Sequence, residues 1–108
     1  MEFINKVELR GVVGRSVVTP AGEHKIVRFS LLTEYAHTTA DSNLMETQWH
    51  NVFASDSVTK DLDGIKKGAW VEVKGRIRSE RYTDSEGQNR IVPQVVATEV
   101  SVVRDAEE

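Results

Sequence analysis

Residues 47–78 read TQWHNVFASDSVTKDLDGIKKGAWVEVKGRIR, and the hydrophobic period changes twice within them. From Thr47 to Ala54 it is two. Trp49, Asn51 and Phe53 share one parity, and His50, Val52 and Ala54 share the other. Successive strand side chains point to opposite faces, so one parity faces a core and one faces out. Val58, Leu62 and Ile65 are then spaced i, i+4, i+7, one face of a short helix. Ser55 or Asp56 is placed to cap its start and Gly64 to end it. Lys66-Lys67-Gly68 is a turn. After it Val71, Val73, Gly75 and Ile77 alternate with Glu72, Lys74, Arg76 and Arg78, and the period is two again.

Outward from this stretch the chain reads as strands. Val7, Leu9, Gly11 and Val13 alternate with Lys6, Glu8 and Arg10. Thr19-Pro20-Ala21-Gly22-Glu23 is a turn signal, because proline presets one torsion and glycine accepts a positive φ. Val27, Phe29 and Leu31 against Arg28 and Ser30 make a second strand. Residues 36–45 are polar and patternless and read as a long loop, of the kind that is usually functional. Thr83-Asp84-Ser85-Glu86-Gly87-Gln88 is a further hairpin turn. Ile91 to Val103 is a fifth strand, with Pro93 at an edge or a bulge because proline lacks a ladder donor. Three strands, a helix and two strands form an all-β chain with the arrangement of the OB-fold. That is a five-stranded Greek-key barrel with one short helix between strands 3 and 4. Mid-strand Gly11 and Gly75 suit its sharp bends.

Composition bounds the function. The 108 residues suffice for one domain, read as residues 1–104 with a short acidic end at 105–108. The absence of cysteine excludes a disulfide scaffold, a thiolate metal site and a cysteine nucleophile. It is compatible with a reducing compartment. No apolar run reaches the ~20 residues of a membrane span. The first six residues lack a signal peptide's basic start and apolar core, so a cytoplasmic protein is expected. His24, His37 and His50 fall in a turn, a loop and a strand without metal-ligand spacing. Gly11-Val12-Val13-Gly14 is no phosphate loop, and nothing pairs a nucleophile with a base. The reading is therefore no enzyme, no cofactor and no metal.

The formal net charge is -3. Three of the 17 acidic residues, Asp105, Glu107 and Glu108, fall in the last four positions, leaving 14 against 14 basic groups. Lys66, Lys67, Lys74, Arg76, Arg78 and Arg81 face only Glu72 and Glu80 within their stretch. On charge alone this basic stripe fits a phosphate path or a solvated strand face. Val52 and Ala54 suit a tight interior, which turns Trp49 and Phe53 outward, and Arg76, Arg78 and Tyr82 oppose the apolar parity of their strand. Outward rings mixed with arginine are what single-stranded nucleic acid needs. On composition alone, however, Trp and Phe in a strand are more often core than platform.

Five motifs carry a family resemblance. Asn5-Lys6-Val7-Glu8-Leu9-Arg10-Gly11-Val12-Val13-Gly14 resembles the N-K-V-x-L-x-G-x-x-G opening of bacterial single-stranded DNA-binding proteins. Phe29-Ser30-Leu31-Leu32-Thr33 resembles their second strand, and Thr47-Gln48-Trp49-His50-Asn51-Val52 their T-x-W-H-x-V strand. The block from Lys67-Gly68 to Arg78 resembles their K-G-x-x-V-x-V-x-G-x-[IL]-R pattern. Tyr82-Thr83-Asp84 with Gly87 and Arg90 resembles their [WY]-x-D-x-x-G-x-x-R hairpin. In order, these span about residues 5 to 103.

The resemblance implies binding of single-stranded DNA with little sequence preference, in replication, recombination or repair. Trp49 and Tyr82 stand where the family stacks bases, with Phe53 a substitute from the same face. His37 and Ser55 stand near positions where relatives carry further aromatics. Arg78, Arg81, Lys6 and Lys67 match positions that are basic in relatives, which implies phosphate contacts, and Arg76 is expected with them at the DNA. His50 matches a subunit-interface histidine, while a satisfied barrel histidine is the plainer alternative. The family usually carries a flexible linker and an acidic tip that recruits proteins. This chain stops at Arg104-Asp105-Ala106-Glu107-Glu108, so that recruitment is not expected. The family oligomerises, so a homotetramer is expected with a dimer as minimal unit. Lys6, Glu8 and Arg10 offer a two-fold seam of unlike charges, unless they are an ordinary charged edge. The competing readings are a dimeric primosomal accessory OB-fold protein and an OB-fold protein–protein adaptor.

Overall fold

A computed structural model describes residues 1–106 of the chain; Glu107 and Glu108 of the expected acidic end lie outside the described residues. Five strands run β1 Val7–Ala21, β2 His24–Thr38, β3 Asn43–Ser55, β4 Trp70–Thr83 and β5 Asn89–Arg104. They close into a barrel in the order β1-β2-β3-β5-β4, the OB-fold expected from the sequence. β1 closes one side by pairing twice. Val7 to Val12 pair with β4, and Val12 to Ala21 pair with β2. The other closure is a short parallel contact, Val52 with Val95 and Phe53 with Val96.

The inward parity of each strand forms the core. Val27, Leu31, Val71 and Val73 are fully buried, together with Val13 and Val52 at 1% exposure. Each such side chain contributes about 1.5–3 kcal/mol on burial. Gly11 and Gly75 sit where strands cross closely: a Cβ on Gly11 would fall on the Leu32 carbonyl oxygen, and one on Gly75 on the Val96 carbonyl oxygen. Pro93 faces Ser79 of β4 and has no strand on its other side, the expected edge position.

Three expectations are corrected. The expected helix over residues 58–65 is a single 3-10 turn, Leu62–Gly64. Val58, Leu62 and Ile65 do face the core, but the Val58 carbonyl accepts the Val100 N–H at 3.0 Å, which ties residue 58 to β5 rather than into a helical turn. Neither Ser55 nor Asp56 caps the turn. Asp61 does, its Oδ1 accepting the Gly64 N–H at 3.0 Å. Nor are residues 36–45 a loop. β2 and β3 stay paired out to Thr38 and Asn43, and residues 39–42 make the turn, closed by the Thr39 N–H on the Ser42 carbonyl at 2.8 Å. Nearly every residue of this arm is exposed, so no core imposes a hydrophobic period on it. Likewise the turn expected at residues 19–23 tightens to Gly22 and Glu23, with Pro20 inside β1.

Candidate nucleic-acid interface

Register places the outward side chains in rows. Val17, Arg28, Phe53, Val96 and Arg76 stand opposite one another across all five strands. One step along, Arg15, Ser30 and Asn51 align, with Gln94 and Arg78 facing each other on β5 and β4. A further step along β3 brings Trp49. Val17, Arg28, Arg15, Ser30, Asn51 and Gln94 of these rows line a groove of about 430 Å³ together with Glu80 and Tyr82, while Trp49, Phe53, Arg76 and Arg78 lie outside its lining on the same sheet face.

The sequence alone allowed Trp49 as core or surface. The structure places Val52 and Ala54 in the core and leaves Trp49 53% exposed. The Trp49 ring lies over Gly14, where any Cβ would collide with it. Tyr82 is 48% exposed at the root of the β4–β5 hairpin turn. That turn is built by Asp84. Its Oδ1 accepts the Glu86 and Gln88 N–H groups at 3.0 and 2.9 Å, and its Oδ2 accepts Arg90 Nε at 2.9 Å. The Arg90 guanidinium, with the Gln88 and Glu86 amides, holds the Asp84 carboxyl below its usual range. Arg90 is the strand neighbour of Tyr82, so the turn fixes the Tyr82 backbone.

Phe53 is half-buried, with the Arg28 guanidinium carbon 5.3 Å and that of Arg78 5.2 Å from its ring centroid. Arg78 Nε also donates to Oε1 of the buried Gln94 at 2.9 Å. Among the described residues, Arg15, Arg28, Arg76 and Arg78 have no carboxylate within salt-bridge distance, whereas Arg10 is paired with Glu72 and Arg90 with Asp84. Glu80 is the counter-charge within the groove.

The other expected site residues are distributed unevenly. Asn5 binds both backbone groups of Ile77, at 2.8 and 2.9 Å, which holds Lys6 opposite Arg76. Arg81 has the opposite parity and lines a depression at the hairpin tip with Tyr82 and Arg90. Lys67, in the turn before β4, is not brought into the groove. His37 lies on the β2–β3 arm, 3.8 Å from Glu46, and Ser55 ends β3. His50 meets Thr33 Oγ1 at 2.8 Å within its own chain, and partial burial lowers its pKa. On the expected seam, Glu8 pairs in register with Lys74 and Arg10 with Glu72. Sequence reasoning missed Arg15, Arg28, Ser30, Asn51 and Gln94. The outward parity of Arg28 was readable, but only the β2–β3 register sets it beside Phe53.

The groove and the barrel order can be set beside known proteins. The model of the single-strand binding protein family matches residues 4–103. The chain belongs to that family. Among curated relatives, the mitochondrial single-stranded DNA-binding protein 1-A of Xenopus laevis is 32% identical over 94% of this chain and 78% of its own length. A single-stranded DNA-binding protein of Xylella fastidiosa is 31% identical over 93% of this chain, which spans 63% of that protein. Of solved structures, a Plasmodium falciparum SSB complex with single-stranded DNA superposes with a TM-score of 0.76 at 20% identity, covering 96% of both chains. A small single-stranded DNA-binding protein from Streptomyces coelicolor gives 0.69 at 19% identity, covering 90% of this chain and 92% of that one. At these identities the two structures speak to the fold. The family's barrel is therefore the scaffold on which this groove is built.

Proposed function

We propose that this chain binds single-stranded DNA with little sequence preference and protects it during replication, recombination or repair, with no chemistry on the DNA. The observation that carries the reading is the groove itself. Tyr82, Arg15 and Arg28 line it, exposed Trp49 and Arg78 lie outside its lining on the same sheet face, and the three arginines have no carboxylate partner among the described residues. Bases stack on the rings and phosphates meet the cations. Every base has a π-face, so such a surface discriminates weakly.

The proposed DNA contacts are Trp49, Tyr82, Arg76, Arg78 and Lys6, joined by Arg15 and Arg28, with Arg81 at the hairpin tip. Phe53 belongs to the same surface. Residues 1–104 are proposed as the binding domain, acting as a homotetramer with a dimer as minimal unit, in the cytoplasm. Some of the curated relatives are mitochondrial proteins, so a fluorescent fusion in the source cell is the test of compartment.

Competition tests the function. Labelled oligo-dT bound to the protein is expected to be displaced by unlabelled oligo-dC and oligo-dA, and poorly by duplex of the same length. Displacement by duplex as readily as by single strands overturns the reading, and no binding of any oligonucleotide favours the adaptor alternative.

A further inference from the structure

We infer that Phe53 is not a base-stacking platform but the holder of a two-guanidinium seat for a backbone phosphate. The inference rests on the proposed DNA binding and assigns Arg28, Phe53, Arg78 and Gln94 their parts within it.

Phe53 stands near the end of β3, between Arg28 of β2 and Val96 of β5, with Arg78 reaching it from β4 beyond. The two guanidiniums, one carried by β2 and one by β4, lie 5.3 and 5.2 Å from the ring centroid. At that range a cation is attracted by the ring quadrupole. The ring is therefore engaged by two arginines, and half-buried, unlike the exposed ring of Trp49.

The arginines in turn are held by little else. Arg78 gives Nε to Gln94 and keeps its two terminal NH₂ groups as donors. Gln94 is buried to 3% exposure, so that bond is fixed from beneath. Arg28 has no carboxylate within salt-bridge distance among the described residues. Two like charges drawn to one ring repel each other, and a bound anion removes that repulsion. Planar guanidiniums present paired donors to phosphate oxygens. Arg28 lines the groove with Arg15 and the uncharged Ser30 and Asn51, where Glu80 is the one opposing charge. The seat thus places a phosphate beside Arg28 at the groove's edge, while Trp49, two positions back along the same face, and Tyr82 take bases.

The test compares two probes, oligo-dT and a fully abasic deoxyribose-phosphate strand of equal length, against wild type, Phe53→Leu, Phe53→Trp and Arg28→Gln. Phe53→Leu keeps an apolar side chain and removes the ring. It is expected to weaken binding of both probes by a similar factor, about fivefold, as expected for freeing two cations. It should also reduce the salt dependence toward that of Arg28→Gln, by up to about 0.7 in log–log slope per cation released. Added to Arg28→Gln, Phe53→Leu should cost less than it does alone. Three results overturn the inference: a loss confined to oligo-dT, full additivity with Arg28→Gln, or unchanged binding by Phe53→Leu. Should Phe53→Leu fail to fold, Phe53→Trp carries the test. It keeps a ring with a stronger cation contact and must bind the abasic strand at least as tightly as wild type. Weaker binding by that variant overturns the inference. A wild-type protein that ignores oligo-dT refutes the proposed function. One that binds oligo-dT while Phe53→Leu behaves as wild type refutes only the role given to Phe53.

Discussion

Trp49 shows how much one side chain's surroundings decide. Its strand neighbours Val52 and Ala54 fill the core, so removal of the outward indole leaves the barrel intact. Trp49→Ala and Tyr82→Ala are each expected to weaken oligo-dT binding by about 1–3 kcal/mol, with an unchanged circular dichroism melt. A Trp49→Ala variant that melts far earlier would move the indole into the core. Asp84 gives a second, pH-dependent expectation. Its folded-state pKa is lowered, so between the folded and ordinary values the unfolded chain binds more protons than the native one. The stability Asp84 contributes is present above the ordinary carboxylate range and is lost as pH falls through the folded value. The protection factors of the Glu86 and Gln88 amides should therefore fall on acidification in wild type. In Asp84→Asn they should be low throughout; a variant protected as well as wild type at neutral pH removes Asp84 from the turn.

At the scale of elements, the core-lined parts were legible and the unsupported parts were not. Val52 and Ala54 against Trp49 and Phe53 gave the faces of β3 correctly, because a core on one side enforces a period of two. The outer halves of β2 and β3 have solvent on both faces, so residues 36–45 carried no period and read as a loop. Their pairing is a matter of backbone register, which composition does not encode. The segment 58–65 failed differently. Its i, i+4, i+7 spacing located the buried face, yet the Val58 carbonyl ties residue 58 to β5 and Asp61 closes a 3-10 turn. The candidate site divided along the same line: Trp49, Arg78 and Tyr82 were readable by parity, while Arg15 and Arg28 needed the register of β1 and β2 with β3. Ile65, one residue past the 3-10 turn, is nonetheless 2% exposed in the core. Ile65→Ala is expected to cost about 2–5 kcal/mol in urea unfolding. A loss near zero would show that the segment does not seal the barrel.

For the whole molecule, the net charge of -3 hides a division between paired and unpaired cations. Among the described residues, Arg10 and Arg90 are paired with carboxylates, and Arg15, Arg28, Arg76 and Arg78 are not. The in-chain Arg10–Glu72 pair also bears on assembly, since it occupies a charge that a two-fold seam would use. Such pairs contribute only ~0.2–1 kcal/mol each, so apolar contacts must hold any oligomer and charges set its register. Sedimentation at micromolar concentration is expected to give an oligomer that Glu8→Arg weakens. A monomer mass in moderate salt contradicts the proposed assembly, and an oligomer indifferent to Glu8→Arg contradicts only the seam.

A ring-and-arginine face on this barrel is proposed to hold single-stranded DNA. Titration of tryptophan fluorescence with oligo-dT at several salt concentrations tests it most directly, with Trp70→Phe isolating the signal of Trp49. Quenching that saturates is expected, with log affinity falling against log salt at a slope of about -4 per protomer. That value corresponds to Lys6, Arg15, Arg28, Arg76, Arg78 and Arg81 at about 0.7 each. Fluorescence that does not respond to oligo-dT, or binding indifferent to salt, would contradict it.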